Sequence, residues 1–119
     1  MANNRKLSRK KQKHLGVASS LVGEYVLVRS RNEGINAGTV LMADQTGVVL
    51  ENACRLWYHK PAVKTESWYE GVANHGLSQN SMRSGTVAKK AIIEGYSMTV
   101  CSDIAQKSIE QTVPHAQKR

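Results

Sequence analysis

The stretch from Glu24 to Pro61 constrains the fold more than any other part of the chain, because apolar runs alternate there with glycine-bearing turns. In Tyr25 to Ser30, Tyr25, Leu27 and Arg29 fall on one side of an extended chain. Val26, Val28 and Ser30 fall on the other, since successive side chains of a strand point to opposite faces. Asn32-Glu33-Gly34 turns the chain. Ile35 to Ala43 reads as a second strand, and Gly38 in its middle predicts a bulge or a tight bend, which small barrels need. Asp44-Gln45-Thr46-Gly47 has Asp first and Gly last, as a type I turn prefers. A third strand begins at Val48 to Leu50, kinks at Asn52 and continues from Ala53 to Lys60. Pro61 then removes a backbone donor and ends the pairing.

The flanks are less periodic. Residues 1–20 read as a disordered arm, with a short helix near Val17 to Val22. Ser67 to Gly76 reads as a short helix capped by Ser67, with Glu70 three residues on as in a capping box, although Gly71 weakens it. Leu77 to Thr86, rich in Ser, Asn, Gln and Gly, reads as a loop. Val87 to Glu94 is an apolar run interrupted by Lys89 and Lys90. In Tyr96 to Cys101, Tyr96, Met98 and Val100 lie opposite Ser97, Thr99 and Cys101, the pattern of a strand. Ser102 is placed to cap a last helix, Asp103 to Gln111, which Pro114 prevents from extending.

These elements define an α+β, β-rich domain over residues 21–117. The expected architecture is a bent antiparallel sheet of about five strands, or a small partial barrel, with one or two short helices and the basic arm. Such a sheet exposes edges, so a symmetric homo-oligomer is expected. No window approaches the ~20 apolar residues of a membrane span. With no leader pattern at the start of the chain, the expected location is the cytoplasm.

The net charge of +8 belongs to the ends. Arg5, Lys6, Arg9, Lys10, Lys11 and Lys13 occur in residues 1–20 with no acid, and Lys118 and Arg119 close the chain. Residues 21–117 hold nine basic and nine acidic residues and are neutral. The arm is either a sequence-independent binder of phosphates, RNA among them, or a solvated terminus.

Little in the chain suggests catalysis. It lacks G-x-S-x-G, H-E-x-x-H, a P-loop and a G-x-G-x-x-G phosphate turn. Cys54 and Cys101 lie in strand-like apolar runs, which suits reduced, buried thiols. His14, His59, His75 and His115 have no ligand spacing with them, so no metal and no cofactor is expected. Cys54 and His59 are an odd number of residues apart and should face opposite sides of a strand, against a thiol–imidazole pair. A non-catalytic binding protein is the better reading.

The aromatics say more. The chain has two tryptophans, four tyrosines and no phenylalanine. Trp57, Tyr58, Trp68 and Tyr69 fall close together, interleaved with Arg55, His59, Lys60 and Lys64. Planar rings stack on nucleobases, while Arg and Lys meet phosphates. Arg55, Trp57 and His59 would share one strand face, opposite Leu56 and Tyr58. Trp57 and Trp68 are otherwise core anchors. The loop around Ser78, Gln79 and Arg83 could wrap a polar ligand or serve as an ordinary connection.

Two resemblances attach to these residues. Gly34, Gly38, Asp44 and Val48-Val49-Leu50 follow in the order of the first Sm motif, and Tyr58-His59-Lys60 is similar to the tyrosine–lysine–histidine stretch of the RNA chaperone Hfq. The resemblance to Sm-like proteins spans residues 26–60 and implies an RNA-binding ring, with contacts at Gln45, Thr46, His59 and Lys60. No second Sm motif is evident.

The other resemblance is more residue-specific. Tyr25-Val26-Leu27-Val28-Arg29, Gly34-Ile35-Asn36-Ala37-Gly38, Asn52-Ala53-Cys54-Arg55-Leu56-Trp57-Tyr58 and Leu77-Ser78-Gln79 resemble runs of small accessory proteins of tailed bacteriophages. It implies an anti-defence sponge that sequesters a nucleotide signal of host immunity in the bacterial cytoplasm. Arg29, Arg55 and Lys60 would then meet phosphates. Trp57 or Trp68 would stack on a base, with His59 beside them. Ser78 and Gln79 would bond base or ribose edges. A small phage structural or assembly protein is the third expectation.

Overall fold

The computed structural model describes residues 16–57, 68–78 and 81–114, with Trp68 by its backbone alone. The arm residues Arg5 to Lys13, together with Tyr58, His59, Lys60, Gln79 and the Trp68 side chain, lie outside the described residues. A 3-10 helix over Val17–Leu21 leads into β1 (Tyr25–Ser30), β2 (Gly34–Asp44) and β3 (Gly47–Trp57). Next come α1 (Trp68–His75), β4 (Met82–Arg83), β5 (Val87–Ile92), β6 (Tyr96–Val100) and α2 (Asp103–Gln111). The six strands form one antiparallel sheet in the order β4-β3-β2-β1-β6, with β5 also on β3. The fold is thus β-rich α+β, with a bent open sheet and two helices.

Two irregularities bend the sheet. Between the pairs Ala37↔Cys54 and Thr39↔Glu51, Gly38 alone faces Asn52 and Ala53. Asn52 takes a positive φ of 53°, which Asn tolerates better than most residues. This is the predicted kink, opposite the predicted bulge. The extra residue inverts the alternation of β3, as a one-residue slip must. Val48, Leu50 and Ala53 lie on one face, whereas Cys54 and Leu56 lie on the other. A second shift leaves Leu41 unpaired between Val40 and Met42. The first half of β3 pairs with β5 and its end with β4.

Apolar residues on both faces produce two cores. Tyr25, Leu27, Ile35, Ala37, Cys54 and Leu56 pack under the helices, against Val72 and Ala73 of α1 and Ala105 and Ile109 of α2. Val26, Val28, Val40, Val48, Leu50 and Ile92 pack on the opposite face, inside the curl of the sheet, with Val22 beside the 3-10 helix. The two sides of β1 separate as its alternation predicts. Tyr96 measures the curl. Through Ser30 it is level with Gly34, the first residue of β2, yet its hydroxyl donates to the carbonyl of Asp44, the last. Along a straight strand those residues would be about 33 Å apart. The sheet therefore rolls most of the way into a barrel without closing.

The helices are tied down locally. Ser102 caps α2 by accepting from the Ala105 amide at 3.0 Å, and its hydroxyl donates to the Asn74 carbonyl at 2.7 Å. Gly76 ends α1 at φ +93°, where an added Cβ would overlap Ser108. The segment Leu77 to Thr86 is not only a loop, because Met82 and Arg83 pair with Trp57 and Leu56. Arg83 is only 7 % exposed. Its Nε donates to the Thr112 carbonyl at 2.7 Å and Nη1 to the Thr86 hydroxyl at 3.1 Å. It holds β4 against the end of α2, a structural role rather than a ligand contact.

Candidate functional site

Polar groups concentrate where the β1–β2 turn meets the β5–β6 connection. Asn36, with 0 % exposure, lies on the inner face of β2. Its Nδ2 donates to the Glu33 carbonyl at 3.2 Å, and its Oδ1 accepts from Lys90 at 3.0 Å. Lys90 also pairs with the Glu33 carboxylate at 2.8 Å. Every member of this cluster is therefore satisfied, as a partly buried polar group requires. The Lys89-Lys90 interruption of an apolar run has its physical reason here: Lys90 reaches inward from the edge strand.

Glu94 clasps the turn from the other side. Its carboxylate accepts from the Asn32 amide at 2.9 Å, the Asn32 side chain at 2.7 Å and the Glu33 amide at 3.3 Å. Together with the nearby Ser30 hydroxyl, these donors hold its pKa down at about 2. The Ser30 hydroxyl itself is buried and short of hydrogen-bond geometry among the described residues.

Beside this clasp a groove of about 530 Å³ is lined by Arg29, Ser30, Arg31, Gly95, Tyr96 and Ser97. The β1–β6 pairing sets Arg29 opposite Ser97 and Ser30 opposite Tyr96. Arg55 comes to the same end on the opposite face: its guanidinium lies against Gly34, whose added Cβ would sit 3.3 Å from Nη2. Arg55 is exposed and Trp57 half-buried, while Leu56 between them is buried, as their alternation predicts. Guanidinium groups on two sides of a turn suit an anion with several oxygens, because each can offer parallel N–H donors.

The expected site residues are only partly brought together. Arg29 and Arg55 share one end of the sheet, on opposite faces. Ser78 faces the Ser81 hydroxyl at 3.3 Å and does not line the groove. Sequence reasoning missed Arg31, Ser30, Tyr96 and Ser97. The Arg29-Ser30-Arg31 spacing was visible, but its second wall comes from a strand far along the chain.

The thiols are inert by position. Cys54 and Cys101 are free and buried, and burial pushes Cys101 up to about 12. Burial likewise raises Cys54 above the ordinary thiol range. Among the described residues, no group of three or more His, Cys, Asp or Glu could hold a metal ion, and no helix is long and apolar enough to cross a membrane.

Fold and groove define a small rolled-sheet domain with a basic, hydroxyl-lined end. Residues 23–109 match a family described as "Domain of unknown function (DUF6948)", and the chain belongs to that family. No curated protein and no solved structure matches. The family boundary takes in all six strands and most of α2 and leaves out the basic arm.

Proposed function

We propose that this chain is a non-catalytic binding protein that captures a small nucleotide at the β1–β2 end of its sheet. In a bacterial host it would withdraw an immune signalling nucleotide from use. The observation that carries the reading is the groove between Arg29 and Arg31, with Ser30, Tyr96 and Ser97 on its walls. Two guanidinium groups and a hydroxyl match a phosphate, while the folded body offers no net positive charge for a long polyanion. The sponge role is supported by the resemblance to tailed-phage accessory proteins in Tyr25 to Arg29 and Asn52 to Tyr58. A homo-oligomer would cover β5 and β6, each of which pairs on one side only among the described residues.

The test is native mass spectrometry of the full chain purified from bacterial cytosol, followed by denaturation and identification of any released small molecule. A stoichiometric nucleotide, lost in the double variant Arg29→Ala/Arg31→Ala, is the expected result. Heterogeneous RNA that disappears when residues 1–20 are removed would replace this reading with the Sm-like one. A chain that carries neither would leave the structural or assembly role.

A further inference from the structure

A second cavity adjoins the arginine groove. It measures about 360 Å³ and shares Gly95 and Tyr96 with the groove. Val17 and Leu21 of the 3-10 helix and Met98 of β6 give it apolar walls, while Asp44 and Gln45 of the β2–β3 turn supply its polar edge. We infer that groove and cavity form one bipartite site: the phosphate of a nucleotide sits between Arg29 and Arg31, and its base enters the Val17–Leu21–Met98 cavity. This inference rests on the nucleotide reading above and moves the base away from Trp57.

Three features support it. The first is chemical division. A nucleotide has an anionic end and a flat, weakly polar end, and the two hollows divide the same way. Apolar side chains and a polarizable thioether suit the faces of a ring, and a few placed polar groups fix its edge. The second is the rigidity of the shared wall. The Tyr96 hydroxyl donates to the carbonyls of Asp44 at 2.6 Å and Gly47 at 3.1 Å, so its ring is fixed before a ligand arrives. Preorganisation of this kind lowers the cost of binding.

The third is the character of the edge. Asp44 accepts from the amide and hydroxyl of Thr46, and these bonds keep its carboxyl below the usual range. It is an acceptor at neutral pH, and the Gln45 amide beside it offers both a donor and an acceptor. Such an edge selects a base that bears an exocyclic amino group. Glu94, the other nearby acid, is turned to the β1–β2 turn amides and does not line either hollow.

Gly95 gives a way to close the junction without disturbing the fold, because a Cβ added there meets nothing within 4 Å. The experiment titrates the full chain with ribose 5-phosphate, UMP, CMP, AMP and GMP by calorimetry. It compares the parent with Gly95→Leu, Leu21→Trp and Trp57→Ala. At least one amino-bearing mononucleotide should bind about tenfold tighter than ribose 5-phosphate, the worth of one hydrogen bond to a charged group. Leu21→Trp should erase that difference while ribose 5-phosphate binding stays unchanged, and Gly95→Leu, at the wall the two hollows share, should erase it as well. Two variants on different walls guard against one that fails to fold. A base contribution that survives both, or that Trp57→Ala alone removes, overturns the inference. So does binding of ribose 5-phosphate with no gain from any base. In those cases the phosphate groove stands. If no probe binds, the nucleotide reading falls, and this inference falls with it.

Discussion

The two faces of the sheet are finished differently. The face under α1 and α2 is sealed: its apolar side chains meet two helices, and the helix ends are bonded through Ser102, Leu77 and Arg83. Among the described residues the face inside the curl has a 3-10 helix over it, and the Val17–Leu21–Met98 cavity opens there. The arginine groove wraps the end of the sheet, with Arg29 and Ser97 on the helix side and Ser30 and Tyr96 on the inner side. Both faces carry buried core, and what differs is the rim: the helix side is bonded shut at its ends, whereas the end of the curl keeps hollows available for binding.

That contrast can be tested by substitutions on each side. The largest effect is expected from Ile109→Ala. It removes a fully buried side chain of α2 and should cost about 2–5 kcal/mol in urea unfolding. Leu21→Ala on the open face removes a half-exposed side chain and should cost about 1 kcal/mol or less. Equal losses would show that the cavity rim contributes as much as the core under the helices. Ser102→Ala, which removes the α2 cap, should cost about 1 kcal/mol by the same measurement. Arg31→Ala should leave stability within about 0.5 kcal/mol and yet weaken phosphate binding in a calorimetric titration.

The smallest effect is confined to acid. The Glu94 carboxyl falls from its ordinary 4.5 to about 2 in the folded chain, so the unfolded chain binds the proton more readily. Its contribution is complete above the ordinary range and is lost as pH falls toward 2. Stability of the parent should therefore decline more steeply between about pH 5 and pH 2 than that of Glu94→Gln, measured by urea unfolding at a series of pH values. Parallel curves would show that the clasp on Asn32 and Glu33 contributes nothing to the open end.

Much of the fold was legible because its signals are local. The alternation in Tyr25 to Ser30 matches β1 from end to end, and Ser102 with Asp103 to Gln111 matches α2 and its cap. Gly38 and Asn52 announced a bend that the register shift realises. The strand at Met82–Arg83 was not legible, since it is two residues long and its pairing with Leu56 and Trp57 depends on distant chain. The groove was half legible for the same reason. Arg29 could be singled out from its own strand, whereas Ser97 joins it only through the pairing of β1 with β6. Ser78 was associated with Arg29 by loop composition and by the Leu77-Ser78-Gln79 resemblance, and the folded chain turns it toward Ser81 instead.

The Tyr96 latch also bears on the order in which the molecule comes together. Its bond to Asp44 joins residues 52 positions apart, and the bond from Asn32 to Glu94 joins residues 62 apart. Contacts over such separations must meet a large loop-closure entropy before they return any enthalpy. The hairpins of β1, β2 and β3 can form from neighbouring chain, but neither hollow exists until β6 arrives. A ligand held there would recognise the completed fold and no earlier species, and its main kinetic effect would be to slow the first step of unfolding.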